Sequence, residues 1–273
     1  MSKTARVRGI EIAYDDSGGA GAPVVLLHGF PFNRSLWREQ AAALGAAHRV
    51  VAPDLRGHGE TTVTSGQATM EAMAEDVAAL LDELGLNRVV LGGLSMGGYV
   101  ALAFYRLFPE RVRALVLADT RPQADDDKAR QTREETAQRA LREGMGVIVE
   151  SMLPKMLAPA TLEGEPHVVS RMREMMLGTE PEGAAAALRG MAVRRDQTDL
   201  LERIKVPTLI VVGAEDAITP PKDSGTMHAL ISGSLMKVIA RAGHVSNVEQ
   251  PAEFNRALAE FLAGLPPGQE ATA

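Results

Sequence analysis

The stretch that decides the fold reads Val89-Val90-Leu91-Gly92-Gly93-Leu94-Ser95-Met96-Gly97-Gly98-Tyr99-Val100-Ala101-Leu102-Ala103. A short β-branched run, 88–91, meets a glycine-rich turn. An alanine-rich apolar run follows and stops before Pro109, which predicts strand, tight turn and a helix over 96–108. Ser95 stands at the centre of Gly93-x-Ser95-x-Gly97. So tight a turn crowds the residues two before and two after the serine, so glycine is needed on both sides. The hydroxyl then projects from the sheet edge beside the free N–H groups of the helix start. An ordinary capping serine in a Gly-rich turn is the competing reading.

Working outward, strand-like runs fall at 4–8, 10–15, 24–27, 49–53 and 112–118, then at 208–212 and 235–240. Helical patterns lie at 67–84, 221–230 and 251–265. The first carries an apolar stripe through Met70, Met73, Val77, Leu80 and Leu81, with Gly85 as C-cap. This alternation predicts an α/β fold with a mostly parallel eight-stranded sheet, helices on both faces and the two opening strands as an antiparallel edge. Between Asp119 and Ile204 strand signals vanish. A charged stretch, 125–145, reads as a solvated helix face, and 147–157, 166–177 and 181–191 follow as shorter segments bounded by Gly or Pro. The expected organisation is a core of residues 1–120 and 204–265, an inserted helical cap over 121–203, and a flexible tail over 266–273.

Composition narrows the chemistry. The 273 residues contain no cysteine, which removes thiolate nucleophiles, disulfides and Cys-ligated metals, so covalent catalysis falls to oxygen or nitrogen. With 29 Lys and Arg against 35 Asp and Glu, and no basic block, a nucleic-acid partner is not expected. No apolar run is long enough to cross a bilayer, so no membrane partner is expected and the chain reads as cytoplasmic. His48, His167 and His228 read as scattered surface or packing residues, and no metal or cofactor is expected. Oligomeric state stays open, a homodimer included.

Three further loops lie at the carboxyl edge of predicted strands, where α/β sites collect their residues. His28-Gly29-Phe30 follows run 24–27 and puts the Phe30 N–H near the elbow. With the Met96 N–H it would form an oxyanion hole, while His28 orders the loop through a hydrogen bond. Asp216 follows run 208–212 and His244 follows run 235–240. The order Ser95, Asp216, His244 is the serine–acid–histidine order of this architecture. Asp119, ending run 112–118, is the rival acid.

The chain resembles α/β-hydrolase fold enzymes of the epoxide-hydrolase, haloperoxidase and lactonase-like branch from about residue 8 to 265. The motifs are His28-Gly29-Phe30-Pro31, Asp54-Leu55-Arg56-Gly57-His58-Gly59, Gly93-Leu94-Ser95-Met96-Gly97-Gly98, Gly213-Ala214-Glu215-Asp216 and Gly243-His244. The resemblance implies Ser95 as nucleophile, Asp216 as acid, His244 as base, Phe30 and Met96 as oxyanion donors, and a helical cap over the pocket. Serine at the nucleophile position disfavours the epoxide-hydrolase and dehalogenase variants, which need a carboxylate there. The expected activity is hydrolysis of a small carboxylic ester or lactone through an acyl-Ser95 intermediate. The alternatives are a cofactor-free haloperoxidase or perhydrolase with the same triad, and a non-catalytic binding protein on the same scaffold. Glu60 stands where similar proteins carry serine. Arg56 and His58 are read as tying their loop to neighbouring backbone, with Arg56 near a substrate carboxylate as the alternative. Trp37 is read as packing. Met145, Met152, Met156, Met172, Met175 and Met176 fit either lid core or pocket lining.

Overall fold

The β-branched and aliphatic runs become eight strands of one sheet in a computed structural model, which describes residues 2–19 and 21–266. They are β1 (Ser2–Val7), β2 (Ile10–Asp16), β3 (Pro23–Leu27), β4 (Arg49–Pro53), β5 (Val89–Leu94), β6 (Val112–Ala118), β7 (Thr208–Gly213) and β8 (Leu235–Ile239). Their order is β1-β2-β4-β3-β5-β6-β7-β8. β1 and β2 form the antiparallel edge, β2 meets β4 antiparallel, and all other pairs are parallel. Strand order reverses around β3, so the crevice at the carboxyl ends of β3 and β5 is the place where a site is expected. Val24–Leu27 and Val89–Leu91 are fully buried, which is why these strands read as continuous apolar runs and not as alternation.

The helices are α1 (Arg38–Leu44), α2 (Met70–Glu83), α3 (Met96–Leu107), α4 (Asp127–Glu143), α5 (Gly146–Met156), α6 (Pro159–Gly164), α7 (Pro166–Leu177), α8 (Pro181–Ala192), α9 (Thr198–Leu201), α10 (Pro221–Leu230), α11 (Ser246–Glu249) and α12 (Pro251–Ala263). α3 packs on β3, β5 and β6 with α2 beside it, while α1 and α12 pair with each other and cover β4, β7 and β8.

Two boundaries move relative to the sequence reading. β5 does not end at Leu91 but continues through both glycines to Leu94, because Gly92 and Gly93 pair with Leu26 and Leu27 of β3 and with Val116 and Leu117 of β6. Paired on both sides, the strand tolerates residues that would otherwise punctuate it. α2 starts at Met70, not at residue 67, because the Thr69 hydroxyl accepts from the Ala72 N–H and caps it. The tail expected over 266–273 lies outside the described residues except for Pro266.

α4 to α9 form the inserted helical region, with α6 and α9 added to the segments read from the sequence. It holds together through small residues. α4 buries Ala137 and Ala140 and packs on α8, which buries Ala184, Ala185, Ala186 and Ala187. The charged stretch is a solvated face over most of α4, but its first carboxylate is not: Asp125 is buried and paired with Arg133 and Arg194. The Arg194 guanidinium also lies 4.4 Å above the ring of Tyr99 in α3, joining cap to core. Met145, Met156, Met172, Met175 and Met176 are buried, as is Met191 of α8, whereas Met152 is half-buried and lines a cavity of about 640 Å³ between α4 and α5.

Trp37 is fully buried and its ring stacks obliquely on Phe254 of α12 at 6.0 Å. Truncation to Ala is expected to lower unfolding free energy by about 3–5 kcal/mol without altering KM. Because Trp37 is the only tryptophan, the denaturation is followed by circular dichroism.

Candidate active site

The elbow is built by close approach of backbone. A Cβ on Gly93 would fall on the carbonyl of Gly97, and a Cβ on Gly97 would fall on that of Leu27. Any side chain there would push α3 off β3 and β5. Ser95 itself has φ 54° and ψ −115°, a conformation costing about 1–3 kcal/mol for a non-glycine residue. It is held by its own N–H donating to Ala118 O at 2.9 Å and by its carbonyl accepting from Gly98 N–H and from the Thr120 hydroxyl at 2.8 Å.

His244 Nε2 lies 2.8 Å from Ser95 Oγ, and His244 Nδ1 lies 2.8 Å from Asp216 Oδ2. Three residues from β5, β7 and β8 loops thus form one hydrogen-bonded Ser–His–Asp arrangement. Asp216 Oδ1 accepts from the N–H groups of Ile218 and Thr219, and Oδ2 also accepts from the Thr219 hydroxyl. Burial raises the Asp216 carboxyl, but the adjacent His244 and these donors outweigh it and hold the group below the usual carboxylate range. Asp119, the rival acid, does not reach the imidazole. Its two oxygens are taken by the Gly213 N–H at 2.8 Å and the Ser246 hydroxyl at 2.6 Å.

The sequence profile of the alpha/beta hydrolase fold family matches residues 22–251. The chain belongs to the α/β-hydrolase fold family. It is 45% identical to a thermophilic esterase from Thermogutta terrifontis solved with malate bound, with TM-score 0.94, covering 97% of this chain and 99% of that one. The enol-lactonase from Burkholderia xenovorans is similar at 29% identity and TM-score 0.90, covering 96% and 100%. Among curated relatives, 3-oxoadipate enol-lactonase 2 from Acinetobacter baylyi is 29% identical over 93% of this chain and 94% of its own length.

In this hydrolase the loop after β3 sits against the elbow: a Cβ on Gly29 would lie 3.2 Å from both Leu94 O and the Ser95 Cβ. Met96, the first residue of α3, has an amide with no intrahelical acceptor. Among the described residues no turn, loop or cap carbonyl accepts the Phe30 amide. His28 is fully buried; its Nε2 accepts from Leu55 N–H and its Nδ1 then donates to Gly29 O, both at 2.9 Å. The Arg56 guanidinium is committed to Asp76 of α2 through Nε and Nη2, so it ties its loop to a side chain of α2 and not to neighbouring backbone as expected.

Three supporting residues had escaped the sequence reading. Thr219 braces Asp216. Asp54, fully buried, accepts from the backbone of Arg34 and Glu60 and pairs with the Arg34 guanidinium, so Glu60 completes that turn through its N–H and pairs its own carboxylate with Arg34. Glu249 joins the Gly243 and Ala158 amides, both at 2.7 Å, and His244 N–H donates to Met156 O, so the α5–α6 junction is tied to the His244 loop. Only Asp54 had a local signal, an acid opening a Gly57-x-Gly59 turn.

His28 and His58 are buried side by side with ring centroids 5.1 Å apart. Burial lowers His28 to about 4 and His58 to about 3 from 6.5. Both therefore fold neutral, and the unfolded chain binds the extra protons. Their contribution is complete above about pH 6.5 and lost as pH falls toward those values, at about 1.4 kcal/mol per pH unit per histidine. His58→Gln is expected to flatten the slope of stability against pH by that amount between about pH 4.5 and 6, read from urea unfolding.

Proposed function

We propose that this α/β hydrolase cleaves small carboxylic esters or lactones through an acyl intermediate on Ser95. The observation that carries the reading is the continuous hydrogen-bonded chain Ser95–His244–Asp216. His244 Nε2 takes the Ser95 proton as Oγ attacks the carbonyl carbon, and Asp216 holds the imidazole tautomer and balances the imidazolium. The N–H groups of Phe30 and Met96 donate to the developing oxyanion, and His244 then protonates the leaving oxygen. In a lactone that oxygen stays attached to the acyl chain. Water, deprotonated by the same imidazole, releases the acid. His28, Gly29, Gly93, Gly97 and Gly98 shape the loops around these groups. Residues 1–120 and 204–265 are assigned to the core and 121–203 to the cap. The enol-lactonases and the thermophilic esterase among its similar proteins support this substrate class.

Ser95→Ala is expected to lower turnover of p-nitrophenyl acetate by about 10⁴-fold or more. A fluorophosphonate probe should label the native protein at Ser95, and His244→Ala should abolish that labelling. Labelling that survives in Ser95→Ala, or unchanged turnover, removes the reading. Asp216→Asn, which offers the imidazole the wrong tautomer, should lower kcat by about 10⁴-fold while leaving the fold intact.

Similarity to a bromoperoxidase from Bacillus anthracis, at 27% identity and TM-score 0.86, supports perhydrolysis as a second reading. Hydrogen peroxide would then replace water as the acyl acceptor. Peracid formed from an acetyl ester and peroxide, lost in Ser95→Ala, is the outcome that supports it; its absence in the native protein rejects it.

A further inference from the structure

The three residues that end and follow β6 bond to Ser95 or to the loops that carry Asp216 and His244. Ala118 O accepts the Ser95 N–H at 2.9 Å, and the Thr120 hydroxyl donates to Ser95 O at 2.8 Å. Between them, the Asp119 side chain accepts from Gly213 N–H at 2.8 Å, three residues before Asp216, and bonds the Ser246 hydroxyl at 2.6 Å, two residues after His244. Its own N–H donates to Val211 O at 2.8 Å. Asp119 is fully buried and holds φ at 45°, in the left-handed region.

We propose that Asp119 is a positioning residue that clamps the Asp216 loop to the His244 loop and so sets the reach of His244 to Ser95. The inference rests on the Ser95–His244–Asp216 reading above. Asp216, the Thr219 hydroxyl and the Glu215 N–H also join the two loops, but from within the Asp216 loop, whereas Asp119 reaches both from the end of β6; Glu249 ties the His244 loop to the cap. Asp119 acts through geometry and not through charge. The titratable groups that act on it are Asp216 from the loop after β7 and Glu249 from α11. Burial first, then the Asp216 carboxylate, raise the Asp119 carboxyl well above its usual range, with Glu249 adding to the rise and outweighing the Ser246 and Gly213 hydrogen bonds. Its Oδ1 accepts from the Gly213 N–H and its Oδ2 bonds the Ser246 hydroxyl, so both loops are held by one side chain.

A primary amide keeps both contacts without a charge, its oxygen accepting from the Gly213 N–H and its N–H donating to the Ser246 hydroxyl oxygen, which separates a geometric role from an electrostatic one. In the full chain, Asp119→Ala is expected to lower kcat for p-nitrophenyl acetate by about 10²-fold with KM within about twofold, the scale of a misplacement of about 1 Å. Asp119→Asn should restore kcat to within about fivefold of the native value and leave the acidic limb of the kcat/KM profile in place. Ser246→Ala, which removes one arm only, should give a smaller fall in kcat, again without a change in KM, and keeps the test open if Asp119→Ala fails to fold. The proposal is overturned if Asp119→Ala retains native kcat. It is also overturned if Asp119→Asn is as impaired as Asp119→Ala, or moves the acidic limb to lower pH, since either means that a charge at this position is needed. Ser95→Ala assayed alongside separates the two readings: loss there with native kcat in Asp119→Ala rejects the clamp alone, whereas native turnover in Ser95→Ala rejects the triad itself.

Discussion

The carbonyl of Gly97 occupies the space that a side chain on Gly93 would fill, and that close approach holds the serine between them in a left-handed turn. The rest of the site is arranged around this one steric constraint. β5 can end at Leu94 and α3 begin at Met96 only if no atom larger than hydrogen stands at either glycine, and the strain at Ser95 persists because β3 and β6 grip the strand on both sides. The loops after β3, β6, β7 and β8 then have a fixed point to meet.

The meeting is governed by how few donors and acceptors a buried loop can leave unpaired. Asp216 is free to face His244 because Ile218 and Thr219 supply the rest of its hydrogen bonds. Asp119 is not free, since both of its oxygens are already engaged by Gly213 and Ser246. The environment pulls the two buried carboxyls apart: against burial, the adjacent His244 and the Thr219 donors lower Asp216, whereas burial and the Asp216 carboxylate raise Asp119, which braces loops instead of facing the imidazole.

The cap follows the same economy. α4 and α8 approach through alanines, and the region is tied to the core at a few buried polar contacts. The buried Asp125–Arg194 pair set over Tyr99, the Glu249 bridge and the Met156 carbonyl on His244 are those anchors. The α5–α6 junction of the cap is thus hydrogen-bonded to the loop that carries His244.

Much of this was legible in adjacent residues. The Gly93-x-Ser95-x-Gly97 turn, the order of Ser95, Asp216 and His244, the strand periodicities and the loss of strand signal after Asp119 are short-range properties, because sterics and amphipathic spacing act over a few residues. Tertiary structure decided the rest. Which of two acids faces the imidazole, why β5 runs on through Gly92 and Gly93, where Arg56 spends its charge and which cap methionines are core all depend on groups far apart in the chain. Ser95 and His244 are 149 positions apart, and Asp119 and Ser246 are 127 apart. No local pattern encodes the competition of distant hydrogen-bond partners for one buried oxygen; that is settled only when packing brings them together and excludes water.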